Sequence, residues 1–195
     1  MMAQTDFQHI AGTRVAMDFV EVPSILMESF SKDPSILSTF GSHYQTGEGV
    51  PVQLIEASRR VQAQTRAFDD QHQILLATLD LKYHSAVAAT PQFNSTRVFE
   101  QLQSQIMPIK HLPNCAWQVQ FSHLFSYGCS YYSYLWSKRW ASRIFATLFE
   151  GKQRGQWREG GEIFRNEVLR HGGGRDPWIG LEAIGVVKPG EREER

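Results

Sequence analysis

Three tyrosines follow a histidine at a spacing that could support catalysis. Tyr127, Tyr131 and Tyr134 stand at positions i, i+4 and i+7, and His123 precedes them. On one helix the three hydroxyls would share a face, where they could donate hydrogen bonds to an oxyanion that forms during acyl transfer. The alternative is that aromatic side chains at helical spacing form ordinary core. Four tyrosines within eight positions weaken that alternative, because each buried hydroxyl needs a partner.

A second candidate is an acidic residue in an apolar stretch. Glu21 follows Phe19 and Val20 and precedes Val22. A lone charge is costly to bury unpaired, so we expect a cationic partner, a metal ion or a cage of hydrogen bonds at this carboxylate. Glu28 stands seven residues later and would share its helix face. A solvated face is the alternative for this pair.

The charge balance excludes some classes of partner. Lys and Arg total 20 and Asp and Glu total 20, so no net field favours nucleic acid or an acidic membrane surface. No apolar run approaches the roughly 20 residues of a membrane span. Cys115 and Cys129 form no CxxC pair, a pattern that fits a reducing compartment.

The elements that must position these residues are predicted to be helices, and the fold class is all-α. Asp33-Pro34 and Asp176-Pro177 each place a capping side chain before a proline at the first helical position. Near Glu21, the helix either starts close to Pro23 or has a distorted first turn. The longest predicted helix carries an apolar stripe at a seven-residue period, which is typical of a wall in a larger body; its members are Leu54, Val61, Phe68 and Leu75, with Leu79 continuing it. The predicted helices cover residues 51–84, 96–106, 117–125, 131–149 and 156–170, the last stopped by glycines 172–174.

Five ordered blocks resemble a known family. They are GTR-x3-DFVEVPS from Gly12, YQTGE at 44–48, ATLDLKYH at 77–84, FSHLFSYG-x2-YYSYL at 121–135 and HGGGRDP at 171–177. Together they resemble the C-terminal part of the thimet-oligopeptidase-like zinc metallopeptidases (peptidase family M3), in particular the mitochondrial intermediate peptidase branch. The resemblance implies that residues 1–187 are the C-terminal helical portion of a larger metallopeptidase catalytic domain. Residues 188–195 would be a charged, disordered tail.

The resemblance also implies roles for the candidate residues. In the family, zinc (Zn2+) is held by the two histidines of an HExxH helix and by the glutamate that corresponds to Glu21. His123, Tyr127 and Tyr134 would bind the peptide substrate and stabilise the tetrahedral intermediate, with Tyr131 beside them. Phe125 and Ser126 stand where the oligopeptidase branch is richer in glycine, and the spacing from His123 to Tyr127 is one residue shorter than there.

No HExxH sequence occurs in the 195 residues. In the family it lies a little upstream of the block that begins here near Gln8. A catalytic zinc site needs three protein ligands and an open position, so we expect this chain alone to bind zinc weakly, if at all, and to hydrolyse no peptides.

Two hypotheses follow for the function. The chain is either the C-terminal portion of a zinc metalloendopeptidase, whose partner would be the missing N-terminal portion, or a catalytically inactive helical remnant that binds peptides or other proteins. The resemblance implies the mitochondrial matrix. The first residues show no presequence pattern, which keeps the cytoplasm as the alternative.

Overall fold

The computed structural model describes residues 2–188, and within this range the chain is helical. No strand occurs among these residues, where an isolated antiparallel bridge joins Ser42 and Gly49. The predicted all-α class is confirmed. The α-helices are α1 Val22–Ser31, α2 Pro34–Phe40, α3 Val52–Tyr83, α4 Ser95–Ile106, α5 His123–Ser126, α6 Ser133–Leu148, α7 Arg154–Glu167 and α8 Pro177–Ala183. Short 3-10 helices cover Gln8–Ile10, Ala86–Ala89, Trp117–Gln120 and Leu169–Gly174.

Both predicted helix caps, in which an aspartate stands directly before a proline, are confirmed. The Asp33 carboxylate accepts a hydrogen bond from the amide of Ser35 at the start of α2. The Asp176 carboxylate does the same for Trp178 at the start of α8. These bonds satisfy amides that have no partner within the helix. Helix α1 begins at Val22, so of the two alternatives near Pro23 the structure shows a helix that starts there.

The long helix is confirmed, but its apolar stripe is only partly buried. Helix α3 runs from Val52 to Tyr83, one residue inside the predicted range at each end. Leu75 and Leu79 are buried, whereas Leu54 and Val61 are 62% and 58% exposed. The seven-residue period therefore identifies the helix correctly, and the buried members of its stripe lie at its C-terminal end.

The chain divides into two compact units, and the boundary falls inside α6. One unit comprises Met1–Ser31 and Trp136–Arg195, and the other comprises Lys32–Leu135. The predicted tail, 188–195, lies outside the described residues except for Lys188. Within residues 2–188, no helix has both the length and the apolarity that crossing a membrane requires.

Each unit has its own hydrophobic core. In the first unit, side chains from α1, α6 and α8 surround Trp140, which is 1% exposed. The members are Phe19, Val22, Leu26, Trp140, Ala141, Ile144, Leu148, Phe149, Phe164, Trp178, Leu181, Ile184, Val186 and Val187. In the second unit, the end of α3 packs with α4 and with the segment before α6. Its core consists of Leu75, Leu76, Ala77, Leu79, Phe99, Leu102, Phe121 and Tyr131.

Candidate functional site

The histidine and the three tyrosines meet in the second unit, although the single helix face expected for the tyrosines is wrong. His123 begins α5, which ends at Ser126, so Tyr127 follows a helix of four residues. Helix α6 begins only at Ser133, and Tyr131 therefore lies in the turn before it. Cys129 takes a φ of 61° in this turn, a left-handed value that interrupts a right-handed helix. The turn, and not helical periodicity, brings the tyrosines together.

The His123 ring is surrounded by tyrosine rings. Its centroid lies 5.9 Å from that of Tyr127, 5.1 Å from that of Tyr131 and 5.8 Å from that of Tyr134. Tyr127 and Tyr134 stack on each other at 6.0 Å, and the Tyr134 hydroxyl lies 3.5 Å from His123 Nε2. We call these four residues the His123 cluster. His123, Tyr127 and Tyr134 are half-buried, so the cluster reaches the surface.

Tyr131 differs from the other members because it is core. Its side chain is 7% exposed and belongs to the buried residues of the second unit. Burial raises the pKa of the Tyr131 hydroxyl, and a hydrogen bond with Gln73 acts in the opposite direction. The phenol is thus kept protonated, since burial disfavours the charged form. Its ring supports His123 and Tyr134 from the core side.

A buried carboxylate lies beneath the turn that carries the tyrosines. Asp80 is 1% exposed, and its oxygens accept hydrogen bonds from the amides of Cys129 at 3.1 Å and Tyr131 at 3.0 Å. The ring nitrogen Nδ1 of His84 lies 2.9 Å from the same carboxylate. Sequence reasoning missed this residue. The available signal was an acid between Leu79 and Leu81 on a helix with apolar neighbours.

Phe125 and Ser126 occupy the end of α5. The Phe125 side chain is 91% exposed. An exposed phenyl ring therefore stands two residues after His123.

Glu21 lies in the first unit, directly before α1. Phe19 and Val22 beside it are buried, while Glu21 itself is half-buried. Its carboxylate oxygen Oε2 accepts a hydrogen bond from the Ser24 hydroxyl at 3.0 Å. The expected hydrogen-bond partner is thus partly provided by the first turn of α1.

The donor set does not form a complete metal site within the described residues. No group of three or more His, Cys, Asp or Glu side chains in residues 2–188 is placed to hold a metal ion. Because a catalytic zinc ion needs three protein ligands, the residues present do not by themselves fit one.

Two of the five sequence blocks pack against each other in the first unit. A Cβ on Gly173 would lie 2.0 Å from the carbonyl oxygen of Arg14, so the HGGG block lets the GTR block approach its backbone. Helix α7 ends at Glu167, three residues before the predicted end, and a 3-10 helix continues to Gly174. The prediction that the glycines stop this helix is therefore wrong, because α7 has its C-cap at Val168; Gly173 serves the close contact instead. Arg175 then donates hydrogen bonds to Nε2 of His171 at 2.9 Å and to Glu167 at 3.2 Å.

Comparison with known proteins defines the class. The sequence profile described as Peptidase family M3 matches residues 1–193, nearly the whole chain. The chain therefore belongs to peptidase family M3, and the family resemblance of the sequence blocks is confirmed.

Individual relatives carry a more particular name. A protein from Cryptococcus neoformans, "Mitochondrial intermediate peptidase 1", is 44% identical over 100% of this chain and 27% of its own length. The "Mitochondrial intermediate peptidase" of Malassezia globosa is 44% identical over 94% of this chain and 23% of its own length. The "Mitochondrial intermediate peptidase" of Sclerotinia sclerotiorum is 41% identical over 99% of this chain and 25% of its own length. The chain thus spans about a quarter of the length of the curated relatives that it matches.

Proposed function

We propose that this chain is the C-terminal portion of a zinc-dependent metalloendopeptidase that processes peptides or precursor proteins in the mitochondrial matrix. The observation that supports this most is the His123 cluster, which lies within the segment matched to a peptidase family. The relatives named above are mitochondrial intermediate peptidases, which supports the substrate class and the compartment.

The His123 cluster would hold the peptide at the bond to be cleaved. The hydroxyls of Tyr127 and Tyr134 donate hydrogen bonds to the carbonyl oxygen, where negative charge develops in the tetrahedral intermediate. Their stacked rings, 6.0 Å apart, fix the direction of both hydroxyls. Nε2 of His123, 3.5 Å from the Tyr134 hydroxyl, orients that phenol. Tyr131 supplies the buried support, and its raised pKa keeps it neutral.

Glu21 would be the single zinc ligand that this chain contributes. The Glu21 carboxylate is half-buried and accepts a hydrogen bond from the Ser24 hydroxyl. Metal-binding carboxylates are commonly oriented by such a hydrogen bond from a neighbouring side chain. No group of three or more potential ligands lies together in residues 2–188, so the other two ligands and the general base would come from another part of the peptidase. We therefore expect the isolated chain to be inactive.

The test replaces the matching quarter of the Cryptococcus neoformans relative with this chain and measures cleavage of a fluorogenic octapeptide. We expect an active chimera whose kcat falls by about 10²–10³ with Tyr134→Phe, the usual effect of removing one oxyanion donor. Tyr132→Phe is the matched control, since Tyr132 lies in the same segment and is 41% exposed. Glu21→Ala should abolish activity and bound zinc, whereas Glu28→Gln, on an exposed side chain of α1, should change neither.

The alternative function is a catalytically inactive module that keeps peptide binding. It would be favoured by a chimera that folds and binds the octapeptide but does not cleave it, with the wild-type relative cleaving under the same conditions. Cleavage unaffected by Tyr134→Phe would contradict the role of the cluster. Cleavage and zinc content unaffected by Glu21→Ala would contradict the role of Glu21.

A further inference from the structure

Asp80 is a buried acid that takes no part in the proposed peptide binding or zinc binding. It lies in the last turn of α3, is 1% exposed and is flanked in sequence by the buried Leu79. An acid in such a place persists only when its oxygens are hydrogen-bonded, because the charged form loses its hydration. The partners of Asp80 therefore indicate what it does.

Those partners lie on the turn between α5 and α6. Oδ1 accepts the amide proton of Cys129 at 3.1 Å, and Oδ2 accepts that of Tyr131 at 3.0 Å. The two oxygens of one carboxylate thus fix two amides on either side of Ser130. Two hydrogen bonds from one rigid group fix the orientation of the turn as well as its distance from α3.

The turn needs such a constraint because its backbone is strained. Cys129 has a φ of 61°, which is uncommon for a residue with a side chain and persists when the surroundings impose it. The same turn reverses the chain so that Tyr127, before it, stacks on Tyr134, after it. Release of the turn would separate those two rings.

His84 completes the arrangement on the side of α3. Its Nδ1 lies 2.9 Å from Asp80 Oδ1 and 2.9 Å from the Asp80 carbonyl oxygen. Both are acceptors, so Nδ1 carries the proton and donates to them. The opposite edge of the His84 ring, which carries Nε2, lies against Gly128, where an added Cβ would be 2.7 Å from Nε2. Asp80, His84 and Gly128 therefore form one continuous contact between α3 and the turn.

We propose that Asp80 is a positioning residue for the His123 cluster. It contacts no peptide and acts through the amides of Cys129 and Tyr131, holding Tyr127, Tyr131 and Tyr134 around His123. The functional consequence of this positioning rests on the proposed peptide-binding role of the cluster, whereas the positioning itself is a property of the chain alone.

The experiment uses the full 195-residue chain, labelled for NMR. In Asp80→Asn, the amide group offers one acceptor and turns an NH2 toward the second backbone amide, so at least one hydrogen bond is lost. We expect the ring signals of His123 and Tyr134 to move toward the values of an unstructured chain, because the neighbouring rings no longer shield them. The indole signals of Trp140 and Trp178, in the core of the first unit, should stay in place. Asp69→Asn is the matched control, an exposed carboxylate on the same helix, and should leave all these signals unchanged.

The wild-type chain gives an independent measurement if Asp80→Asn does not fold. The amides of Cys129 and Tyr131 should exchange with solvent about 100-fold more slowly than in an unstructured chain, since exchange requires the turn to open. Exchange at the unstructured rate would overturn the proposal. So would a folded Asp80→Asn chain in which the His123 and Tyr134 signals are unchanged.

A titration with an unstructured octapeptide separates this proposal from the proposed function. We expect the wild-type chain to bind it and Asp80→Asn to bind about tenfold more weakly, the effect of losing roughly one hydrogen bond. A wild-type chain that binds no octapeptide would count against peptide binding by the cluster, while the ring signals still decide the role of Asp80. Equal affinity of the two chains, with displaced ring signals, would overturn the functional part of the inference.

Discussion

The hydroxyl of Tyr83 donates a 2.6 Å hydrogen bond to the carbonyl oxygen of Ser95. This bond joins the end of α3 to the first residue of α4. The Tyr83 ring also packs edge-on against Phe93 at 5.5 Å. One side chain therefore links the long helix to the loop and the helix that follow it in the second unit.

Replacement of Tyr83 by phenylalanine tests this link. Tyr83→Phe retains the ring and removes the hydroxyl, so we expect a loss of about 1 kcal/mol in the free energy of unfolding. Urea unfolding followed by circular dichroism would measure it. Tyr44→Phe is the matched control, because Tyr44 is 86% exposed, and it should change stability by less than about 0.5 kcal/mol. Equal stability of the two variants would show that the Tyr83 hydrogen bond contributes nothing.

The same residue predicts a loss of stability at alkaline pH. Burial raises the pKa of Tyr83 from 10.0 to about 12. Between these values the unfolded chain has released the phenol proton and the folded chain has retained it, so the free energy of unfolding falls as pH rises. The contribution is fully present below pH 10.0 and is lost by about pH 12. Tyr131, whose pKa is also raised by burial, acts in the same direction.

Urea unfolding at a series of pH values near 10 and above would measure this slope. The free energy of unfolding of Tyr83→Phe should decline less steeply with pH than that of the wild type, because Tyr131 is then the remaining one of these two tyrosines whose pKa is raised. Parallel curves for the two chains would contradict the assignment. Phenolate absorbance of the folded wild-type chain, compared with that of Tyr83→Phe, would show whether Tyr83 is a tyrosine whose pKa is raised.

The sequence was sufficient for the elements whose causes are local. Asp33 and Asp176 cap helices because each contacts an amide two residues away, and the apolar period of α3 is visible over many turns. The spacing of Tyr127, Tyr131 and Tyr134 predicted that they lie together, and they do so through a turn between α5 and α6 in place of the single helix expected.

Asp80 could not be found in this way. The amides that it accepts from are 49 and 51 residues away in sequence. No local pattern encodes such a contact, and the residue looks like an ordinary acid on a long helix. Leu54 and Val61 belong to the apolar stripe of α3 but are exposed among the described residues, because periodicity predicts an apolar face and does not predict what covers it.

A methyl group at Gly173 should disrupt the first unit. The added Cβ would lie 2.0 Å from the backbone oxygen of Arg14, and backbone cannot move aside as a flexible side chain can. We expect Gly173→Ala to cost about 3 kcal/mol, at the upper end of the usual range for overpacking. Gly161→Ala, on α7 with no atom within 4 Å of the new Cβ, is the control and should stabilise by about 0.5–1 kcal/mol. Thermal unfolding of both variants measures the difference, and two chains of equal stability would refute the close approach of the GTR and HGGG blocks.

A methyl group at Gly128 should act on the His123 cluster through His84. The new Cβ would lie 2.7 Å from His84 Nε2, so either the turn or the ring must shift. The ring is held by Asp80 at 2.9 Å, and its movement would remove a hydrogen bond from the buried carboxylate. We therefore expect Gly128→Ala to destabilise the chain by about 1–3 kcal/mol. The ring signals of Tyr127 and Tyr134 should also move.

The double variant distinguishes this route from a simple clash. In His84→Ala the obstructing ring is absent, so Gly128→Ala should then cost much less than it does in the wild type, with a coupling of about 1 kcal/mol or more. Urea unfolding of the four chains gives the coupling directly. Additive costs would mean that Gly128 and His84 do not share the contact, because residues that touch are the ones whose effects fail to add.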